Sequence, residues 1–221
     1  MKVLLFLTSH KQLEEVYLYS EFLRRYCKTL VTFDFILHVN NINIDISKIG
    51  NYFQTIPNQN KQLILTSKNK GYTFGHMEAC ADYFDYFKEY DYVIHTHPDV
   101  FITSEETLLK ILELFFHNNI QFIVNNSIAN DNKFMSTDFI IFRPKLLVKN
   151  IFKDFEKYYG KYNPDTGGSE NALFDILNDN NINYFFIKRF DNDHWEPRRV
   201  DMIGLWHEHN LNKVNEYLNL N

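Results

Sequence analysis

Cysteine is scarce in this 221-residue chain: only Cys27 and Cys80 are present, without C-x-x-C spacing. Two such thiols make neither a disulfide framework nor a Cys-rich zinc site, and they fit a reducing, cytosolic setting. Basic charge is also in deficit, with 23 Lys plus Arg against 28 Asp plus Glu and a formal net charge of -5 at pH 7. That balance argues against an electrostatic nucleic-acid binder and against polybasic membrane docking. No apolar run approaches the roughly 20 residues that span a bilayer, so a soluble, cytoplasmic protein without a membrane span is expected. The run after Met1-Lys2 ends at Thr8, Ser9 and His10, which is too short for a signal-peptide core and reads as a strand. No internal repeat or interdomain linker is visible, so one domain over residues 1–221 is expected.

What the chain does have is apolar and aromatic mass: it is 45% hydrophobic, with 21 Phe and 14 Tyr. At this length about 70–75% of the unfolded surface can be buried, and a core needs no disulfide or metal staple. Apolar runs of strand length alternate with amphipathic runs of helical spacing. This is the pattern of an α/β, Rossmann-like domain, a central, mostly parallel sheet flanked by helices. Strands are expected at residues 3–7, 31–39, 62–66, 92–94, 122–125, 139–142 and 182–187. Ser9-x-x-Gln12 and Thr103-x-x-Glu106 read as capping boxes of the helices that follow them. Residues 70–75 precede a helical pattern with Met77, Cys80, Phe84 and Phe87; Pro144 suits a helical first turn, and Gly167-Gly168-Ser169 leads into a further helix. The segment after Asp191 shows little periodicity.

Polar chemistry is densest where Tyr92-Val93-Ile94 runs into His95-Thr96-His97-Pro98-Asp99. Pro98 has no N–H to give to a ladder, so the strand ends near it and delivers polar residues to the sheet's carboxyl edge, where open α/β sheets bind ligands. Alternation puts His95, His97 and Asp99 on one side, unless the turn at Pro98 re-aims the last. With His207-Glu208-His209, which follows Ile203-Gly204-Leu205-Trp206, they make a mixed nitrogen and oxygen donor set suited to Mn²⁺, Mg²⁺ or Zn²⁺. His95 has a second reading, as a core histidine bonded to a neighbouring strand. Thr8, Ser9 and His10 stand where a nucleotide base would bind by the same topological rule, although Ser9 equally suits a helix cap. Lys70, between Gly71 and the preceding polar run, either approaches a phosphate or belongs to a plain turn. Trp195 and Trp206 either stack on a sugar face or pack. Arg198 and Arg199 either grip a phosphate with their planar forks or are solvated.

The stretch Tyr90-Asp91-Tyr92-Val93-Ile94-His95-Thr96-His97-Pro98-Asp99-Val100-Phe101-Ile102 resembles the segment of GT-A-fold glycosyltransferases in which a strand leads into the DxD motif. In that family the motif binds a divalent cation that holds the diphosphate of a nucleotide-sugar. Here Asp99 keeps the second acidic position and His97 replaces the first. Ser136-Thr137-Asp138-Phe139-Ile140-Ile141-Phe142-Arg143-Pro144 resembles the family's next strand, with Asp138 suited to a sugar hydroxyl. Gly167-Gly168-Ser169-Glu170-Asn171-Ala172-Leu173 resembles its glycine-led acidic motif, which implies Glu170 as the base of an inverting enzyme. Gly204-Leu205-Trp206-His207-Glu208-His209 resembles its C-terminal histidine region, a further source of metal ligands.

The resemblance implies a GT-A-fold, nucleotide-sugar-dependent enzyme of the small bacterial or large-DNA-virus type, cytoplasmic, and in the host cytoplasm if viral. Such an enzyme passes a hexosyl or deoxyhexosyl unit from a nucleotide-diphosphate sugar, with a UDP-sugar favoured, to a hydroxyl of a saccharide or glycoprotein glycan. It implies Mn²⁺ or Mg²⁺ on Asp99, His207, His97 and His209, the nucleotide on Thr8, Ser9, His10 and Lys70, and the sugar or acceptor on Asp138 and Trp206. Two other readings compete. His95-x-His97-x-Asp99 also looks like the start of the metallo-β-lactamase HxHxDH signature of zinc-dependent hydrolases, but Val100 stands where that signature has its next histidine. A non-catalytic nucleotide-sugar or carbohydrate-binding module would bind the donor without turning it over.

Overall fold

The computed structural model describes residues 1–9, 13–26, 34–39, 45, 47, 62–66, 84–126, 135–148, 151–152, 157–158, 168–188, 205–208 and 210–220. In chain order the elements are β1 (Val3–Ser9), α1 (Leu13–Tyr26), β2 (Asp34–Val39), β3 (Gln62–Thr66), α2 (Phe84–Phe87), β4 (Tyr92–Thr96), β5 (Val100–Ile102), α3 (Glu105–His117), β6 (Phe122–Asn126), β7 (Ser136–Phe142), α4 (Lys145–Val148), α5 (Gly168–Asp179), β8 (Tyr184–Lys188), β9 (Leu205–His207) and α6 (Leu211–Leu220). Seven strands form one sheet in the order β3-β2-β1-β4-β7-β6-β8, and β5 and β9 form a separate antiparallel pair. β3, β2, β1 and β4 run parallel, as do β6 and β8, while β7 is antiparallel to both β4 and β6.

Every residue of β1 and β4 is buried. Strands covered on both faces select continuous apolar runs rather than alternation, which is why these two are so plain in the sequence. On one face Leu5, Leu7, Leu37 and Ile94 pack with Val16, Tyr19 and Phe22 of α1 and with Leu108 and Leu112 of α3. On the other, Leu4, Phe6, Ile36, Val93 and Ile140 pack with Phe87 of α2 and with Leu173, Ile176 and Leu177 of α5. Each such side chain contributes about 1.5–3 kcal/mol on burial.

Several local expectations are corrected. The cap of α3 is Ser104, whose Oγ accepts from the Thr107 N–H at 3.3 Å, so the helix starts one residue later than a Thr103 cap implies. Ser9 is the last residue of β1 and is buried, while the remainder of its expected capping box, like residues 31–33 and the helical pattern before Phe84, lies outside the described residues. The segment after Asp191 contains both β9 and α6; in α6, Val214 and Leu218 are buried and Leu211 and Tyr217 pack beside them. Among the described residues no helix is long and apolar enough to cross a membrane.

Candidate active site

β4 carries His95 to the carboxyl edge of the sheet, between β1 and β7. The imidazole is fully buried, and its Nε2 lies 2.9 Å from the Thr8 hydroxyl on β1. The bland reading of His95 therefore holds: it is a core histidine bonded to the neighbouring strand. Burial, with His97 and His38 nearby, pushes the His95 pKa well below the ordinary imidazole value, against an opposing pull from Asp138. The ring is neutral.

His38 completes a row that sequence reasoning missed. It sits on β2 in register with Thr8, is 1% exposed, and stacks on Phe6 at 6.2 Å; the Phe6 ring is also 5.8 Å from His95. Burial lowers its pKa to about 4. His38, Thr8 and His95 thus lay polar groups across three parallel strands near the end of an otherwise apolar face. The available signal was an imidazole inside the run Phe35-Ile36-Leu37-His38-Val39, since a polar residue in a buried strand asks for a reason.

Beyond β4 the chain turns. The His97 N–H donates to the Asp138 carbonyl of β7 at 2.9 Å, and the Val100 N–H donates back to the His97 carbonyl at 3.2 Å, closing a turn over Pro98 and Asp99. The fixed φ of proline suits the second position of such a turn. His97 is half-buried, its ring edge-on to His95 at 5.4 Å. Asp99 is half-buried with Oδ1 enclosed, and Asp138 is half-buried on β7.

The second polar cluster comes alongside through β9. Val100 pairs with His207, Phe101 with Trp206 and Ile102 with Leu205, and the Glu208 N–H donates to the Asp99 carbonyl at 2.9 Å. Asp99 and the backbone of His207, far apart in sequence, are therefore neighbours. Glu208 turns away: its Oε1 accepts from the Asn210 N–H at 2.9 Å and its Oε2 lies 3.5 Å from Lys213 Nζ, at the start of α6.

Trp206 is corrected. Its indole is 1% exposed, with ring centroids 5.7 Å from Phe22, 5.5 Å from Phe101 and 5.5 Å from Tyr217. A ring enclosed by three others has no face left for a sugar, so it is packing. Thr8 and Ser9 stand buried at the carboxyl end of β1. Glu170 lies in the first turn of α5. The side chains of Glu170 and His207, and residues His10, Lys70, Trp195, Arg198, Arg199 and His209, lie outside the described residues.

Among the described residues no group of three or more His, Cys, Asp or Glu side chains forms a metal site. The β5–β9 ladder makes the backbones of Asp99 and His207 neighbours, and aspartate and histidine are residue types that ligate divalent cations.

No family model matches the chain, and no curated protein matches it. Solved structures do. The chain is similar to the glycosyltransferase GlyE of Streptococcus pneumoniae TIGR4, with a TM-score of 0.55 at 15% identity over 85% of this chain and 45% of that one, in its apo form and in a second crystal structure alike. It thus spans about half the length of GlyE. It is also similar to a protein from Desulfovibrio desulfuricans G20 assigned as a nucleotide-diphospho-sugar transferase, with a TM-score of 0.56 at 9% identity over 85% of this chain and 80% of that one. These likenesses establish the fold: the chain has a Rossmann-like α/β fold that these glycosyltransferase structures share.

Proposed function

We propose that the protein is a glycosyltransferase that moves a sugar from a nucleotide-diphosphate sugar to an acceptor hydroxyl, with a divalent metal assisting. The observation that carries this reading is the β5–β9 ladder, which brings His207 beside Asp99 at the carboxyl edge of a glycosyltransferase-like sheet. The fold's resemblance to GlyE supports sugar transfer as the reaction class.

Breaking the bond between the anomeric carbon and the diphosphate leaves growing negative charge on one fragment and an oxocarbenium-like sugar on the other. Asp99 and His207, with His97 and His209, are the residues that would hold Mn²⁺ or Mg²⁺; bound there, the ion supplies Lewis-acid stabilisation to the departing oxygen. Glu170 takes the proton of the acceptor hydroxyl as that oxygen attacks the opposite face of the sugar, so the transfer inverts configuration. The helix N-terminus keeps this carboxylate ionised and ready, at the expense of basicity, and proton uptake late in the attack eases that demand. Ser9, at the carboxyl end of β1, binds the nucleotide with His10 and Lys70, with uridine diphosphate preferred, while the buried Thr8 hydroxyl stays on His95. Asp138, whose carbonyl already anchors His97, hydrogen-bonds a sugar hydroxyl with its carboxylate. The transferred unit is a hexose or deoxyhexose, and the acceptor a saccharide or glycan.

The test is a thermal-shift screen of uridine, guanosine, thymidine and cytidine diphosphates, each with Mn²⁺, Mg²⁺, Zn²⁺ or chelator. A ligand at 100 times its Kd adds about 2.7 kcal/mol of stability. Uridine diphosphate should raise the melting temperature, and more so with Mn²⁺. Stabilisation by Zn²⁺ alone, with no nucleotide effect, would overturn the reading in favour of a hydrolase. Binding without sugar transfer or hydrolysis would reduce it to a binding module.

A further inference from the structure

The turn that carries Asp99 is tied to its surroundings from several directions, and the Thr96 side chain supplies one of these ties. Thr96, the last residue of β4, is fully buried. Its hydroxyl lies 3.1 Å from the His97 carbonyl and 3.3 Å from the Val100 carbonyl. A hydroxyl has one hydrogen to give, so the two oxygens share it, and both contacts are accordingly long. The two carbonyls flank the turn. That of His97 also accepts from the Val100 N–H at 3.2 Å, and Val100 opens β5 opposite His207. Backbone ties add to it: the His97 N–H to Asp138 of β7 and the Glu208 N–H to Asp99, both at 2.9 Å.

A threonine in a buried strand is ordinarily exchangeable in shape with valine, because both are β-branched and both suit the pleated backbone. Thr96 differs in where its oxygen lies. It sits where the chain leaves the seven-stranded sheet for the two-stranded one, and there it bridges the two carbonyls that bracket His97-Pro98-Asp99. A binding carboxylate is effective only when its backbone is held in place before the ligand arrives.

We propose that Thr96 is a positioning residue of the candidate site: its hydroxyl clamps both ends of the His97-Pro98-Asp99-Val100 turn and so holds Asp99 beside β9. The clamp stands on the hydrogen bonds alone, while the ligand it serves rests on the glycosyltransferase reading.

The test compares Thr96→Val and Thr96→Ser in the full chain, with Thr96→Ala as an independent hydroxyl-free variant. Valine keeps the shape and removes the hydroxyl; serine keeps the hydroxyl and removes the methyl. In Thr96→Val the Val100 amide should exchange with solvent roughly tenfold faster by NMR, the effect of losing one buried hydrogen bond. Mn²⁺ affinity, read from the electron paramagnetic resonance signal of the free ion, and uridine diphosphate affinity should each fall by about the same factor. Thr96→Ala should match Thr96→Val, and Thr96→Ser should restore all three readouts. Unchanged Val100 exchange in Thr96→Val would overturn the clamp. Faster exchange with unchanged Mn²⁺ and nucleotide affinity would overturn the positioning role, as would equal losses in the serine and valine variants, which would point to packing. A wild-type protein that binds neither Mn²⁺ nor uridine diphosphate would overturn the glycosyltransferase reading and the site role with it, while the exchange data would still decide the clamp by themselves.

Discussion

The Asp99 carbonyl accepts from the Glu208 N–H, and the residue is half-buried beside the strand of His207, so main-chain bonding holds this turn. Asp99→Ala should therefore leave the fold intact and abolish metal-dependent binding of uridine diphosphate, read by calorimetry with and without chelator. Wild-type binding in that variant, with metal present, would remove the proposed site. Glu170→Gln should bind nucleotide normally and lose transfer by about 10²–10⁴-fold, the usual contribution of a general base. If transfer survives in full, the base lies elsewhere, with Asp138 as the next candidate. His95 shows the limit of reading residues singly: its chemistry was plain, but its partner Thr8 lies 87 positions away and decides that it is a core group. Asp99 and His97 stood out as candidates because a polar run ending a buried strand beside a proline has few structural uses.

The element that most affects the site is β9 with α6. It is held by Trp206 among Phe22, Phe101 and Tyr217, and by Val214 and Leu218 in the core shared with α1. Trp206→Ala should cost about 3–5 kcal/mol, as large aromatic truncations in cores do. It should also weaken Mn²⁺ binding, because β9 carries His207 into register with Val100. Trp206→Phe should retain most of both. A Trp206→Ala protein with unchanged melting temperature would mean that the indole is not the anchor. α6 escaped the sequence reading because its apolar residues, Leu211, Val214, Tyr217, Leu218 and Leu220, are diluted by Asn212, Asn215 and Asn219. The pattern at i, i+3 and i+7 is present, but too sparse to stand out until α1 supplies the surface it packs on.

Across the whole molecule, two buried histidines couple folding to pH. His38, with its pKa lowered to about 4, and His95, pushed in the same direction, are both neutral in the folded protein. The unfolded chain takes up protons at about pH 6.5. The stability they contribute is therefore fully present above about pH 6.5 and is lost as pH falls toward 4, with His38 alone worth about 3 kcal/mol. Urea unfolding at pH 7.5, 5.5 and 4.5 should show this decline, and His38→Gln should flatten it; a wild-type curve flat over that range would contradict neutral, buried imidazoles. At the same scale, the net charge of -5 predicts no salt-sensitive affinity for duplex DNA.

The amino-acid sequence by itself determined the α/β class, the strands β1, β3 and β4, and the candidacy of Asp99. Continuous apolar runs and the missing N–H of Pro98 act over a few residues, and no distant contact is needed to express them. Only the tertiary structure decided that β5 leaves the main sheet to pair with β9, that Thr8 and His38 flank a buried His95, and that Trp206 is core. The pairing register, the site geometry and the fate of each polar side chain depend on partners far along the chain, which only the packed topology brings within hydrogen-bonding distance.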